Sequence, residues 1–127
     1  MAFNIIIPGK PLSTQFRIGN GKLYNQHREE ADRISNEIFL QKPPFILDKP
    51  VALDIRFCME IPKSYKKKIH EGEFHIKKPD LTNLVKFIED CMTGIVYKDD
   101  CCVCETSSRK VYSNNPRIEI EVRTTPW

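Results

Sequence analysis

From Val51 to Ile61 the apolar residues Val51, Leu53, Ile55, Phe57, Met59 and Ile61 alternate with Ala52, Asp54, Arg56, Cys58 and Glu60. Successive side chains of a strand point to opposite faces, so this period of two specifies a strand with one buried face. Such a strand must belong to a sheet, and the sheet needs another layer to cover its apolar side. The rest of the chain has to supply both.

Phe3 to Ile7 is a β-branched run stopped by Pro8-Gly9, which reads as a first strand. Lys10 to Asn25, with Gly19-Asn20-Gly21, reads as a long loop. Between Gln26 and Gln41, Ala31, Ile34, Ile38 and Phe39 fall at helical spacing among charges, and Pro43-Pro44 ends the pattern. A second helix is predicted over Leu81 to Thr93, stopped by Gly94. Val103 to Tyr112 and Arg117 to Arg123 read as strands, the latter with Ile118, Ile120 and Val122 on one side. The Ser113-Asn114-Asn115-Pro116 turn between them predicts a hairpin. The order β-α-β-α-β-β gives an α+β fold: four strands in a mostly antiparallel, mixed sheet with both helices packed on it.

At 127 residues with 40% hydrophobic residues, the chain can bury one core, so residues 1–127 are expected to form a single domain. A domain of this size rarely encloses a deep pocket for an organic cofactor. An open groove, or a site completed by a second copy, is expected instead. The five cysteines are an odd number, and Met1 to Ile7 is too short and uncharged for a secretory leader. Nothing reaches membrane-spanning length. These features point to a reducing cytoplasm without membrane attachment.

The net charge of +3 matters less than its distribution. Lys63, Lys66, Lys67, Lys68, Lys77 and Lys78 stand against only Glu71 and Glu73. Beyond them the sign reverses: Asp80, Glu89, Asp90, Asp99, Asp100 and Glu105 stand against Lys86 and Lys98. A basic flank beside an acidic cluster suits phosphodiester cleavage, with lysines holding phosphates and carboxylates holding metal. Two solvated surfaces would have the same composition.

On a helix at 100° per residue, Leu81, Leu84, Val85, Ile88 and Met92 share an arc that faces the sheet. Asn83, Lys86 and Asp90 gather on the opposite side as a polar row. Asp80 stands just before the helix, where its carboxylate has an ordinary use as an N-cap. Asp99-Asp100 has an ordinary use in a turn before a strand. What links them is that a helix start, a helix face and a strand approach bring three acidic positions from elements that pack together.

Lys78-Pro79-Asp80-Leu81-Thr82-Asn83-Leu84-Val85-Lys86, then Glu89-Asp90, Gly94 and Tyr97-Lys98-Asp99-Asp100-Cys101-Cys102-Val103, resembles the signature of the RusA family of Holliday-junction resolvases. Gly9-Lys10-Pro11-Leu12-Ser13 and Tyr24-Asn25 are compatible with that family. The resemblance implies a homodimeric endonuclease that binds four-way DNA junctions and makes paired nicks with Mg²⁺, or with Mn²⁺ in its place. Asp80 and Asp100 would hold the metal, with Asp90 and Asp99 in or beside its coordination sphere. Lys86 would contact the scissile phosphate, with Asn83 beside it and Lys67, Lys68, Lys77 and Lys78 along the DNA. Asp80, Lys86, Asp99 and Asp100 are the expected catalytic set. The family pattern usually carries Asp where this sequence has Thr82, which removes a charge and a strong oxygen ligand.

Other residues have weaker claims. Cys101 and Cys104 have Cys-x-x-Cys spacing, but no second ligand pair follows. His70 and His75 are candidate proton donors, more simply read as surface residues of a mobile loop. Arg17, Lys22 and Tyr24 are candidate DNA contacts in the first long loop. Two other functions are compatible with the chain: a non-catalytic branched-DNA-binding protein in which Thr82 marks a decayed site, and a small RNA- or ribosome-associated protein using only the basic loop.

Overall fold

The computed structural model describes residues 1–12, 25–65 and 68–124. Lys67, Arg17, Lys22 and Tyr24, all candidate nucleic-acid contacts, lie outside them. Strand β1 is Ala2–Pro8, helix α1 Asn25–Gln41, strand β2 Val51–Glu60, helix α2 Leu81–Met92, strand β3 Val103–Ser113 and strand β4 Arg117–Thr124. Short 3₁₀ turns at Lys63–Tyr65 and Asp100–Cys102 complete the order. The expected β-α-β-α-β-β sequence is thus present. Among the described residues no helix is long and apolar enough to cross a membrane.

The four strands form one sheet in the order β1-β4-β2-β3. β1 and β2 both pair antiparallel with β4, while β2 and β3 run parallel. The expectation of a β3–β4 hairpin is therefore wrong, because β2 lies between those strands. Asn114 to Pro116 instead carry the chain over the end of β2, from Ser113, which pairs with Glu60, to Arg117, which pairs with Cys58. Two strand spacings are about 9.5 Å, and four Cα steps reach as far as ~14 Å, so three connecting residues suffice. β2 takes the central position because it is buried on both faces at its ends: Val51, Ala52 and Leu53, then Phe57, Cys58 and Met59. An edge strand would expose half of those side chains.

One face of the sheet carries the core. Ile5 and Ile7 of β1, Leu53, Ile55 and Phe57 of β2, and Ile118, Ile120 and Val122 of β4 pack against both helices. From α1 come Ile34 and Ile38, and from α2 Leu84, Phe87, Ile88, Cys91 and Met92. Phe87 and Cys91 join the buried side of α2 in place of Leu81 and Val85, which are half-buried. The buried arc is thus turned somewhat from the expected one, leaving Lys86 and Asp90 exposed. The opposite face of the sheet carries charge, with Arg109–Asp54 at 3.6 Å, Arg117–Glu119 at 2.9 Å and Arg123–Glu121 at 3.3 Å.

Both sheet edges are covered in part, which shortens the row of backbone groups left free for pairing. On β1, Gln41 of α1 accepts from the Ile6 N–H at 2.8 Å and donates to the Ile6 carbonyl at 2.7 Å. On β3, the segment from Gly72 to His75 runs along the free edge. Gly72 N–H donates to Tyr112 O at 2.9 Å, Tyr112 N–H to Glu73 O at 2.8 Å and His75 N–H to Lys110 O at 3.0 Å. This explains why β3 is exposed over its first half and buried at Val111, Tyr112 and Ser113.

Candidate active site

Helix α2 carries the acidic region on a rigid element. Asp80 occupies its N-cap position with extended backbone, and its carbonyl accepts from the Asn83 and Leu84 N–H groups at 3.1 Å. Its carboxylate makes no capping hydrogen bond. The ordinary use of an aspartate at this position is therefore not taken up, and the side chain stays exposed.

What fixes Asp80 comes from a strand that sequence reasoning did not connect to it. Lys110 of β3 extends its ammonium group to the carbonyl oxygens of Lys77 and of Pro79, the latter at 2.7 Å. It ties down both sides of Lys78 and the cis peptide bond before Pro79. Burial lowers the Lys110 pKa, and the negative charge of Asp80 opposes that shift. Lys110 is thus both a staple for the approach to α2 and a positive charge within the field of Asp80. No local pattern marks it, because it lies 30 residues downstream of Asp80, at the end of the polar run Glu105 to Lys110.

The C-terminal end of α2 leads to the second acidic group. Gly94 takes a positive φ of 81° and its N–H donates to Tyr97 O at 2.8 Å, turning the chain back. The fully buried Tyr97 donates its hydroxyl at 2.9 Å to the Glu89 carbonyl, which also accepts from the Thr93 N–H and hydroxyl, so the end of the helix is tied to the chain that follows it. Lys98 N–H donates to Leu47 O at 2.8 Å, which anchors the strand approach just before Asp99.

Asp99 does act as a turn aspartate: its Oδ1 accepts from the Asp100 N–H at 2.7 Å and starts the 3₁₀ turn. Hydrogen bonding to Asp100 and to backbone N–H donors lowers the Asp99 pKa, while hydrogen bonding to Asp99 and the charge of Asp99 raise that of Asp100. Asp90 pushes Asp100 further up and Lys86 pulls it down. Glu89, half-buried on α2, is raised by burial and then by Asp100 and Asp90, again against Lys86. Lys86, Glu89, Asp90, Asp99 and Asp100 thus share one electrostatic neighbourhood in which acids outnumber the single lysine. Sequence reasoning counted Glu89 in the acidic cluster but gave it no role at the site, although it adjoins Lys86 and Asp90 on the helix.

Among the described residues, no three His, Cys, Asp or Glu side chains converge as a metal cage. Asp80 acts on Lys110, whereas Asp90, Asp99 and Asp100 act on one another. The donor chemistry nevertheless fits a hard cation: every acidic group is an oxygen donor, and the excess of negative charge around Asp100 is what a cation would relieve. Mg²⁺ takes one or two carboxylates and completes its octahedron with water and substrate phosphates. The Asp99-Asp100 pair meets that requirement.

Of the phosphate-binding candidates, Lys68, Lys77, Lys78 and Lys86 are exposed and Asn83 is half-buried. His75 departs from the expected mobile surface histidine. It is half-buried with its ring 4.7 Å from that of Tyr112, and burial and then the charge of Lys110 lower its pKa. His70 is exposed. Cys101 and Cys104 are exposed free thiols beside the acidic pair.

A family model described as endodeoxyribonuclease RusA matches residues 8–123. YqaN, an uncharacterized protein of Bacillus subtilis (strain 168), is 30% identical over 129 residues, which cover 93% of this chain and 89% of that protein. The crossover junction endodeoxyribonuclease rusA of Lactococcus phage r1t is 28% identical over 107 residues, 82% of this chain and 79% of the phage protein.

Proposed function

The chain belongs to the RusA family of endodeoxyribonucleases, and on that premise we propose that it is a Mg²⁺-dependent enzyme that resolves four-way DNA junctions by paired nicks. The observation that carries this reading is the acidic neighbourhood around Lys86. Carboxylates of α2 and of the following turn stand close enough to shift one another's pKa, on the exposed side of a helix whose other side is core. A purely structural surface would be expected to pair those charges with cations.

In this reading Asp80 and Asp100 would be the carboxylates that hold Mg²⁺, with Asp90 and Asp99 in or beside its coordination sphere and water and phosphate oxygens of the DNA completing it. Bound there, the ion supplies positive charge against the scissile phosphate. Lys86, at the middle of the exposed row, sets its ammonium against the same phosphate and offsets the charge that grows in the transition state. Lys68, Lys77 and Lys78 bind the flanking phosphates without reading sequence. Two nicks in strands of like polarity call for two related sites, so the working form is a homodimer with the junction across its axis. The reducing cytoplasm where DNA is recombined suits five unpaired cysteines.

The test is cleavage of a synthetic four-way junction, a flap and a linear duplex in Mg²⁺ and in Mn²⁺. Junction cleavage lost in Asp80→Asn and Asp100→Asn, with binding retained, supports the assignment. Wild-type protein that binds junctions yet cuts nothing in either metal would instead establish the non-catalytic alternative, for which Thr82 is the specific argument.

A further inference from the structure

Phe74 and Ile76 are 74% and 90% exposed, among the most exposed large apolar side chains in the described residues. Single exposed apolar residues are common and need no explanation. These two differ in being held in place. The backbone around them is bonded to β3 at Gly72, Glu73 and His75, Phe74 forms a bridge with Val111, and the His75 ring between them packs on Tyr112. Glu71 accepts from the Asn114 N–H at 3.0 Å, and Lys110 holds the chain at Lys77 and Pro79. A segment fixed at so many points presents its apolar side chains at a defined place.

That place is bracketed by charge suited to DNA. Lys68 precedes the segment and Lys77 and Lys78 follow it, all exposed. Ile76 lies four residues before Asp80, so their Cα atoms are at most ~14 Å apart, the length of about four nucleotide steps. The same Lys110 staple that fixes Asp80 also fixes the end of the segment. Apolar tip and acidic site are therefore held in one frame.

We propose that Phe74 and Ile76 form an apolar wedge that packs against the exposed base face at the branch point of a DNA junction, and thereby select branched over linear DNA. The inference rests on the reading of the chain as a branched-DNA nuclease. Apolar side chains that enter a duplex must unstack a base step, at a cost of a few kcal/mol. At an opened branch point that stack is already interrupted, so the wedge gains contact without the cost. Stacking on an aromatic ring needs no particular base, which suits recognition of shape rather than sequence. The lysines bind either form of DNA, so discrimination falls to the two apolar residues.

The experiment compares wild type, Phe74→Ser/Ile76→Ser and Phe74→Trp for binding to a four-way junction and to linear duplex, with Ca²⁺ replacing Mg²⁺ to suppress cleavage. The junction carries 2-aminopurine at the branch. The double variant is expected to lose about tenfold in junction affinity, the scale of one base stacked on an aromatic ring, with duplex affinity unchanged. It should also lose the 2-aminopurine fluorescence change that wild type produces, and Phe74→Trp should keep both. Unchanged junction affinity, or equal loss on junction and duplex, overturns the proposal. So does sedimentation showing that the double variant breaks a wild-type dimer, since the two side chains would then serve a protein contact. Wild type that binds junctions with this signature but cuts nothing leaves the wedge standing and removes the nuclease assignment. Wild type that binds no DNA removes both.

Discussion

Lys110 donates from its Nζ to the carbonyl oxygen of Pro79 at 2.7 Å, joining the edge strand β3 to the residue that immediately precedes Asp80. Position along β3 is thereby converted into position of a carboxylate, because the second bond to the Lys77 carbonyl leaves the approach to α2 little freedom.

Lys110→Met should remove that staple while keeping most of the apolar stem. Stability is expected to fall by about 1 kcal/mol, the scale of a partly exposed charged hydrogen bond. Junction cleavage should fall further, by about 10²-fold, if Asp80 shifts by an ångström or so. Urea unfolding and single-turnover cleavage measure the two separately. Equal junction cleavage in variant and wild type would show that the staple serves stability only.

Thr82→Asp restores a carboxylate at the second position of α2, one residue from the half-buried Leu81 and facing solvent. The Mg²⁺ concentration for half-maximal cleavage should fall on the order of tenfold, since added ligand charge is the main determinant of affinity for such ions. A metal titration decides it. If cleavage is unchanged or lower at every concentration, position 82 does not limit metal binding.

Glu71 gives a pH dependence. The Asn114 N–H and then the Ser113 hydroxyl bond its carboxylate and hold its pKa below the ordinary glutamate range. A depressed pKa in the folded state means that the contact is present above that range and is lost as pH falls through the lowered value. Protection of the Asn114 amide, its exchange rate taken relative to the intrinsic rate at each pH, should therefore fall on acidification below the glutamate range. In Glu71→Gln the protection should lose this titration, and persistence of the same pH step in that variant would assign it to another group.

Cysteine reactivity reports the surface beside the acidic pair. Cys58 and Cys91 are buried, and burial pushes the Cys91 thiol up to about 11. Cys101 and Cys104 are exposed. Iodoacetamide at pH 8 should label Cys101 and Cys104 in the native protein and spare Cys58 and Cys91 until denaturant is added. Mass spectrometry of tryptic peptides reads the pattern, and early labelling of Cys91 would contradict the packing of α2.

Periodicity determined much of this protein. The alternation through β2 and β4 and the apolar arc of α2 are local properties, set by how a strand or a helix turns its side chains, so element order and fold class were legible in the sequence. So was the polar row of Asn83, Lys86 and Asp90, because residues one turn apart on a helix must be neighbours. Strand pairing was not legible. Ser113 to Pro116 suits a hairpin as well as it suits a bridge over β2, and only the burial of both faces of β2, a property of the assembled sheet, decides between them. The same holds at the site. An aspartate before a helix is ordinarily a cap, and local rules do not say that the Asp80 carboxylate is left free. Nor do they connect it to Lys110, since the hydrogen bond from Lys110 to Pro79, 31 residues apart in sequence, exists only once the β2-α2-β3 crossover has brought them together.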